Sequence, residues 1–320
     1  MCTAISHHGF FGRNLDLEYG YDEEIVITPR MFPLIFRKTN TIHAHHAYVG
    51  MAAMDHGYPL YFDAVNEQGL AIAALDFPDN AYYPEADDAL INIAPFEVIP
   101  WIMSQCGTVQ EVIALLQNTR IVNINYSNTY PQAPLHWMVA DKSESIVIEI
   151  MKDGTHIHEN PVGVLCNNPP FPYHLHHLAQ FQHLSANEWR AHWGGVHVPS
   201  FGGGLSATGL PGDYSSPSRF VKAAFVKLHS HCNPDTVSNI SQFFHILDAV
   251  AMPRGAIRVR GGKDEITRYS SCCDLDQGIY YFTTYENRRI RAVQLHRANL
   301  NGNTIESFPL FDQQDIFYKN

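Results

Sequence analysis

Apolar residues in this chain fall into short strand-like runs and into longer stretches where they recur every third or fourth position. Residues 2–6 and 9–12 flank His7-His8-Gly9, which predicts a tight hairpin with Cys2 on its first strand. Gly12-Arg13-Asn14-Leu15-Asp16 follows at once, so pairing of the two arms would bring Arg13 and Asp16 near Cys2. Residues 24–28 predict a further strand, ended by Pro29. Residues 61–65 and 70–75 flank Asn66-Glu67-Gln68-Gly69, a four-residue hairpin loop with glycine at its end. Their near-continuous apolar character predicts strands covered on both faces.

Helical spacing covers 95–105 and 109–117, and Thr108 with Glu111 forms a capping box for the second. Residues 135–139, 145–151, 155–158 and 163–166 read as strands, with Lys152-Asp153-Gly154 a turn. Residues 173–184 read as helical and 201–212, from Phe201 to Gly212, as a glycine-rich loop. Ser216-Pro217 reads as N-cap and first helical residue of a helix to about Ser230, followed by a helix over 236–250. Strands at 279–284 and 290–295 are joined by Tyr285-Glu286-Asn287-Arg288-Arg289. Strands in antiparallel runs with paired helices between them predict an α+β fold, two stacked antiparallel sheets with helical layers outside. Without internal repeat, linker or low-complexity segment, the expectation is one domain spanning 1–320.

Composition narrows the function classes. Hydrophobic content of 45% and charged content of 17% belong to a globular chain, far from the signature of disorder. The formal net charge of -11 argues against nucleic-acid binding and against docking on an anionic membrane. No apolar run reaches the roughly 20 residues a membrane span needs. The first residues lack the basic and apolar regions of a secretory signal, so a cytoplasmic protein is expected. The six cysteines show no disulfide-scaffold spacing, which predicts free thiols in a reducing compartment.

The candidate chemistry centres on Cys2. A small second residue predicts removal of Met1, which would give one residue both a thiol and a free α-amine. Their unperturbed pKa values are about 8.5 and about 7.7–8.0, so the amine can serve the thiol as base. The competing reading is a small apolar residue opening an edge strand. Such a nucleophile needs an acidic partner for the amine, a cation for charge balance and neutral donors for an oxyanion. Asp16, Arg13, Asn167 or Asn168, and Arg219 are candidates for those roles. Nineteen histidines raise the possibility of a metal site, and a His-rich metal-binding non-enzyme is the rival class. Yet His43-Ala44-His45-His46, His174-Leu175-His176-His177 and His229-Ser230-His231-Cys232 all lack strong zinc-motif spacing, so no metal or other cofactor is expected. Gly202-Gly203-Gly204 lacks the Lys-Ser/Thr ending of a phosphate loop. A papain-like Cys/His pairing wants its cysteine at a helix N-terminus, which a strand-borne Cys2 is not.

Met1-Cys2-Thr3, Phe11-Gly12-Arg13-Asn14-Leu15-Asp16, Val65-Asn66-Glu67-Gln68-Gly69-Leu70, Pro134-Leu135-His136-Trp137 and Leu165-Cys166-Asn167-Asn168-Pro169 form an ordered set. Gly209-Leu210-Pro211-Gly212-Asp213-Tyr214-Ser215-Ser216 with Ser218-Arg219-Phe220, Tyr269-Ser270-Ser271-Cys272-Cys273 and Tyr285-Glu286-Asn287 extend it. Together these segments resemble the choloylglycine hydrolase family, which contains bile salt hydrolases and penicillin V acylases, across essentially the whole chain. The resemblance implies a four-layer αββα sandwich, the N-terminal-nucleophile hydrolase fold. It implies Cys2 as nucleophile with its amine as base, Asp16 binding the amine, and Arg13 against the thiolate. It also implies Asn167 as side-chain oxyanion donor, Asp76 as the second donor, and Arg219 completing the polar site.

Asp76 departs from the family pattern, since bile salt hydrolases usually carry Asn there and penicillin V acylases often Tyr. A backbone N–H donor survives that change, provided the carboxylate points away. Cys166 replaces the family's usual Thr. Leu75-Asp76-Phe77-Pro78, Pro134-Leu135-His136-Trp137 and Ser271-Cys272-Cys273 resemble the bile salt hydrolase branch. The implied reaction is hydrolysis of conjugated bile acids, glycine or taurine amides, with acyl transfer to other amines as a side activity. Penicillin V or acyl-homoserine lactones are the alternative substrates within the family, and a homotetramer the implied assembly. Leu15, Phe62, Ile124 and Tyr126 are candidate lining of the acyl pocket, with ordinary packing the competing reading of each.

Overall fold

His8 and Gly9 both take positive φ, +48° and +81°, and so close the first hairpin in two residues with the twist its strands require. The hairpin opens a computed structural model that describes residues 1–188, 193–199, 202–259, 261–311 and 313–320. Phe201, at the head of the glycine-rich loop read from sequence, lies outside the described residues; the rest of that loop holds one 3₁₀ turn, Leu205–Ala207.

In chain order the strands are β1 (Cys2–His7), β2 (Phe10–Leu17), β3 (Glu24–Thr28), β4 (Tyr48–Asp55), β5 (Tyr58–Asn66), β6 (Ala71–Asp76) and β7 (Ile91–Ile93). They continue as β8 (Thr119–Ile121), β9 (Leu135–Ala140), β10 (Ser145–Met151), β11 (Gly154–Glu159) and β12 (Val164–Leu165). The last four are β13 (Ile266–Asp274), β14 (Ile279–Thr284), β15 (Arg291–Gln294) and β16 (Glu306–Pro309). The helices are α1 (Val98–Gln105), α2 (Val109–Leu116), α3 (Phe171–Leu178), α4 (Ser216–Leu228) and α5 (Thr236–Asp248).

Among the described residues, one antiparallel sheet runs β12-β1-β2-β13-β14-β15 and the other β11-β10-β9-β6-β5-β4-β3-β16; β7 and β8 form a small parallel pair. The two large sheets meet through β1, β2 and β6. Helices α4 and α5 cover the first sheet and α1 the second, which makes the four layers αββα. One apolar cluster fills the inter-sheet layer and the α4–α5 face, the other the α1–α2 face. That is why β6, buried at five consecutive positions, reads as a continuous apolar run.

Several predicted boundaries move. The helix expected over 95–105 begins as a 3₁₀ turn, Pro95–Glu97, before α1. The one expected over 173–184 is α3 followed by a 3₁₀ turn, Ala179–Phe181. The N-cap of α4 is Ser215, not Ser216, because Pro217 fits the first helical turn at its second position as well as its first, and the helix stops at Leu228. β4, β7, β8, β13 and β16 carry no turn-bounded alternation strong enough to announce them.

Gly12 shows how tightly the first sheet packs on its helices. A methyl group there would strike the Ser271 backbone carbonyl and lie 2.9 Å from the Phe243 ring of α5. Gly12→Ala is expected to lower stability by about 1–3 kcal/mol, read as a lower urea midpoint at unchanged slope. An unchanged midpoint would show that the β2–β13–α5 contact has slack.

Candidate active site

Cys2 opens β1 and pairs directly with Leu15 of β2, so both side chains face the inter-sheet layer. Arg13, two residues back along β2, shares that face and is fully buried. Its guanidinium donates to the carbonyls of Phe62, at 3.1 Å, and Ala74, at 2.5 Å. Pairing of β5 with β6 ends at Asp63 and Ala73, so Phe62 and Ala74 would be the next rung. Arg13 occupies that rung and holds the two strands apart. One guanidinium nitrogen, Nη2, has no hydrogen-bond partner among the described residues. Burial opposes its charge, but Cys2, Tyr269, Asp63 and Asp16 outweigh burial and raise the pKa above the ordinary guanidinium value.

The split exposes the β5-facing edge of β6. Phe77 N–H donates to the Pro134 carbonyl of the other neighbour, which by strand alternation turns the Asp76 N–H and C=O towards the opening. The Asp76 carbonyl accepts from Asn167 Nδ2 at 2.7 Å. Asn167 Oδ1 accepts from the Cys2 N–H and from Arg219 Nη2, each at 2.7 Å. Two donors on one side and a carbonyl on the other fix this amide's orientation, and among the described residues its second N–H has no acceptor. Asn168 instead turns its amide to the Pro78 carbonyl.

Arg219, in the first turn of α4, ties the same groups from the helix side. Its Nη1 donates to the Cys2 carbonyl and to Thr3 Oγ1, each at 2.6 Å, and its Nε donates to the Tyr214 carbonyl at 3.0 Å. Asp16 lies on this helix-facing side of β2, 4.0 Å from Arg219 Nη1. A bulge in β13 places Thr267 opposite Asp16 and Tyr269 opposite Leu15. Without it the two β13 side chains, two residues apart, would share a face. As built, Thr267 donates to Asp16 Oδ1 at 2.6 Å and Tyr269 reaches across the sheets to Asp63 at 2.7 Å. Asp16 Oδ2, the oxygen facing Arg219, is buried and accepts no hydrogen bond among the described residues. Burial raises the Asp16 pKa, and Arg219 and the terminal ammonium only partly offset it. Met1 is present here; its ammonium pairs with Glu265 and donates to the Asp16 backbone carbonyl at 2.7 Å.

The other sequence candidates fall around this centre. Asp76 ends β6 on the face shared with Ile72 and Ala74, opposite the inter-sheet face of Ala73 and Leu75. Burial raises its carboxyl pKa, against the pull of the terminal ammonium and His136. Cys166 is buried, with its thiol 3.6 Å from Thr3 Oγ1. Phe62 lies 5.7 Å ring to ring from Tyr21, Tyr21 lies 6.4 Å from Tyr130, and Tyr130 lies 6.4 Å from Tyr126. This aromatic wall links two of the predicted lining residues through two tyrosines that sequence reading missed. Ile124 is half-buried in the segment after β8.

A second ring of groups was also missed. Glu149 of β10 accepts from the Phe171 N–H at 2.9 Å and from His136 Nδ1 at 3.2 Å, and His136 stacks on Phe77 at 4.3 Å. One carboxylate thus fixes both the chain after Asp76 and the start of α3. Burial alone would raise its pKa, but the hydrogen bond from His136 and the His158 imidazole 3.4 Å away bring it down to about 2. His174 of α3 donates Nε2–H to the Asn167 carbonyl at 2.9 Å. No pattern in the chain marks Glu149, because its partners come from three other elements.

Burial holds fully buried His174 down to about 4. A folded-state pKa below the unfolded value of about 6.5 means that the unfolded chain takes the proton first. His174 therefore contributes stability that is complete above about pH 6.5 and lost as pH falls towards 4, about 3 kcal/mol over that window. Urea unfolding from pH 7 to pH 4 is expected to show this loss, and His174→Gln to flatten the profile. Equal slopes in the two proteins would refute the assignment.

Residues 2–308 match the linear amide C–N hydrolases of the choloylglycine hydrolase family. A bile salt hydrolase/transferase of Lactiplantibacillus plantarum is 46% identical over 324 aligned residues, covering 100% of both chains. A bile salt hydrolase/transferase of Clostridium perfringens is 35% identical, covering 96% of each chain. The crystal structure of a variant of the conjugated bile acid hydrolase from Clostridium perfringens superposes with a TM-score of 0.93 at 33% identity, over 100% of both chains. Penicillin V acylase from Agrobacterium tumefaciens shares the fold, with a TM-score of 0.79 at 18% identity over 99% of this chain and 94% of that one. With its length matched nearly end to end, this chain belongs to the choloylglycine hydrolase family of linear amide C–N hydrolases.

Proposed function

We propose that this protein is a bile salt hydrolase, cleaving the amide between a steroid acyl group and glycine or taurine with Cys2, freed of Met1, as nucleophile. The observation that carries the reading is the Asn167 amide, which touches the Cys2 N–H at one end and the Asp76 carbonyl at the other. A nucleophile and two candidate oxyanion donors, the Asn167 N–H and the Asp76 N–H, thereby share one rigid frame. The names of full-length relatives direct the choice of substrate within the family.

In the proposed reaction the Cys2 amine takes the thiol proton, and Sγ attacks the amide carbonyl carbon. Asn167 and the Asp76 N–H stabilise the oxyanion; removing one such donor typically costs about 2.7–4 kcal/mol. The ammonium gives its proton to the departing glycine or taurine nitrogen, the C–N bond breaks, and a thioester remains. Water cleaves the thioester and restores the thiol. A free amine in place of water gives acyl transfer. Asp16, with an oxygen that accepts no hydrogen bond among the described residues, suits the amine, and Arg13 Nη2, likewise without a hydrogen bond there, offers the reacting sulfur a positive field. Alternation along β6 favours an Asp76 carboxylate turned from the oxyanion, which reconciles the departure from the family pattern. Leu15, Phe62, Ile124 and Tyr126 with Tyr21 and Tyr130 suit a rigid apolar acyl group.

No cofactor enters this chemistry. One domain, a cytoplasmic location and a homotetramer complete the proposal; exposed Phe311, Ile316, Phe317 and Tyr318 near the C-terminus supply apolar surface for assembly. A native mass of one chain would dismiss the tetramer.

Intact mass of active protein is expected to lack Met1. Cys2→Ala should fold and lose hydrolysis, and initial rates should favour taurine or glycine conjugates over penicillin V and acyl-homoserine lactones. Added free amino acids should yield new conjugates. Activity in a preparation that retains Met1, or in Cys2→Ala, would end the proposal; faster turnover of penicillin V would move the substrate to the other branch.

A further inference from the structure

Two imidazoles and a thiol from distant parts of the chain meet at the end of β1 remote from Cys2. His7 ends β1, His8 opens the turn to β2, and Cys232 lies in the loop between α4 and α5. One nitrogen of each histidine and the Cys232 sulfur lie within 4.8 Å of one another. His7 Nε2 is 3.9 Å from Cys232 Sγ, and the two rings stand edge to face with centroids 4.4 Å apart.

Successive strand residues project to opposite faces, so neighbouring histidines ordinarily diverge. His8 escapes that rule through its φ of +48°, which brings its ring beside that of His7. Asn or Gly is the usual occupant of this turn position, and His brings an imidazole nitrogen there that neither supplies. The cluster borders a cavity of about 460 Å³, whose lining includes His7, His8, Asp141, Glu144 and Lys227. With Glu159 and Lys142 also in the lining, three carboxylates face two ammonium groups there.

We propose that His7, His8 and Cys232 bind a divalent late first-row transition metal, zinc first, with the fourth position open to the cavity. One thiolate and two imidazoles form a borderline-soft donor set suited to zinc. Zn–S near 2.3 Å and Zn–N near 2.0–2.1 Å put tetrahedral donors roughly 3.3–3.6 Å apart. Closing from the present spacing takes side-chain movements on the order of 1 Å, within reach of exposed His8 and Cys232. On binding, the Cys232 S–H bond breaks, the sulfur–metal bond forms, and one proton passes to solvent. The ion ties the β1–β2 turn to the α4–α5 loop. β1 carries Cys2 and α4 carries Arg219, so the metal clips together the two elements that bear the site without touching its reacting groups.

The test uses the full chain, stripped with a chelator and titrated with zinc or cobalt(II). One ion per chain is expected, with release of one proton and a rise of a few degrees in Tm. Cobalt should give tetrahedral d–d bands and a thiolate-to-cobalt charge-transfer band that persists in Cys2→Ala. Cys232→Ser should lose that band and bind at least tenfold more weakly. His8→Asn, which suits the positive φ, should keep the fold and weaken binding likewise. Amide hydrolysis by the stripped variants should equal that of stripped parent protein. Failure of the parent chain to take up a stoichiometric ion overturns the site, as does a charge-transfer band that survives Cys232→Ser or disappears in Cys2→Ala.

Discussion

Everything at the centre of this protein hangs on a guanidinium buried from bulk solvent. Arg219 is buried between α4 and the first sheet, and an unpaired charge there would cost several kcal/mol. The fold surrounds it with acceptors: the carbonyls of Cys2 and Tyr214, Thr3 Oγ1, Asn167 Oδ1, and Asp16 slightly farther off. Satisfying the charge sets the positions of β1, the loop after β12, and the start of α4 relative to one another. The proposed nucleophile and oxyanion donor are placed as a consequence.

Departures from regular sheet geometry provide the rest. Arg13 takes the place of one rung between β5 and β6, so a strand edge that would be paired is left open beside Cys2. The bulge in β13 sends Thr267 to one face and Tyr269 to the other, so one strand supports Asp16 on the helix side and Asp63 in the inter-sheet layer. A regular sheet would bury every backbone group in its ladder and leave nothing for an oxyanion.

The clearest local signals were legible because they depend on neighbours in sequence. The turn after β1, the capping box of Thr108 and Glu111, and the apolar runs of β5 and β6 follow from alternation, capping and turn chemistry. The edge strand β16 and the short β7 and β8 did not announce themselves, because their pairing partners rather than their composition make them strands. Asp16 and Arg13 were expected near Cys2, and strand alternation puts them on opposite faces of β2, but which face meets the second sheet and which meets α4 needed the tertiary structure. Glu149, Tyr21 and the His7–His8–Cys232 cluster escaped because contacts between distant segments leave no periodic trace.

By itself, the order of residues determined that two covered sheets would form, that Cys2 would start a strand, and which family motifs the chain carries. Those outcomes rest on side-chain period and turn conformation, which act over a few residues. The tertiary structure alone decided which way the Asn167 amide faces, which strand edge stays open, and which charges meet partners underground. Such choices are settled by desolvation, whose magnitude depends on everything packed around a group and on nothing in its immediate sequence.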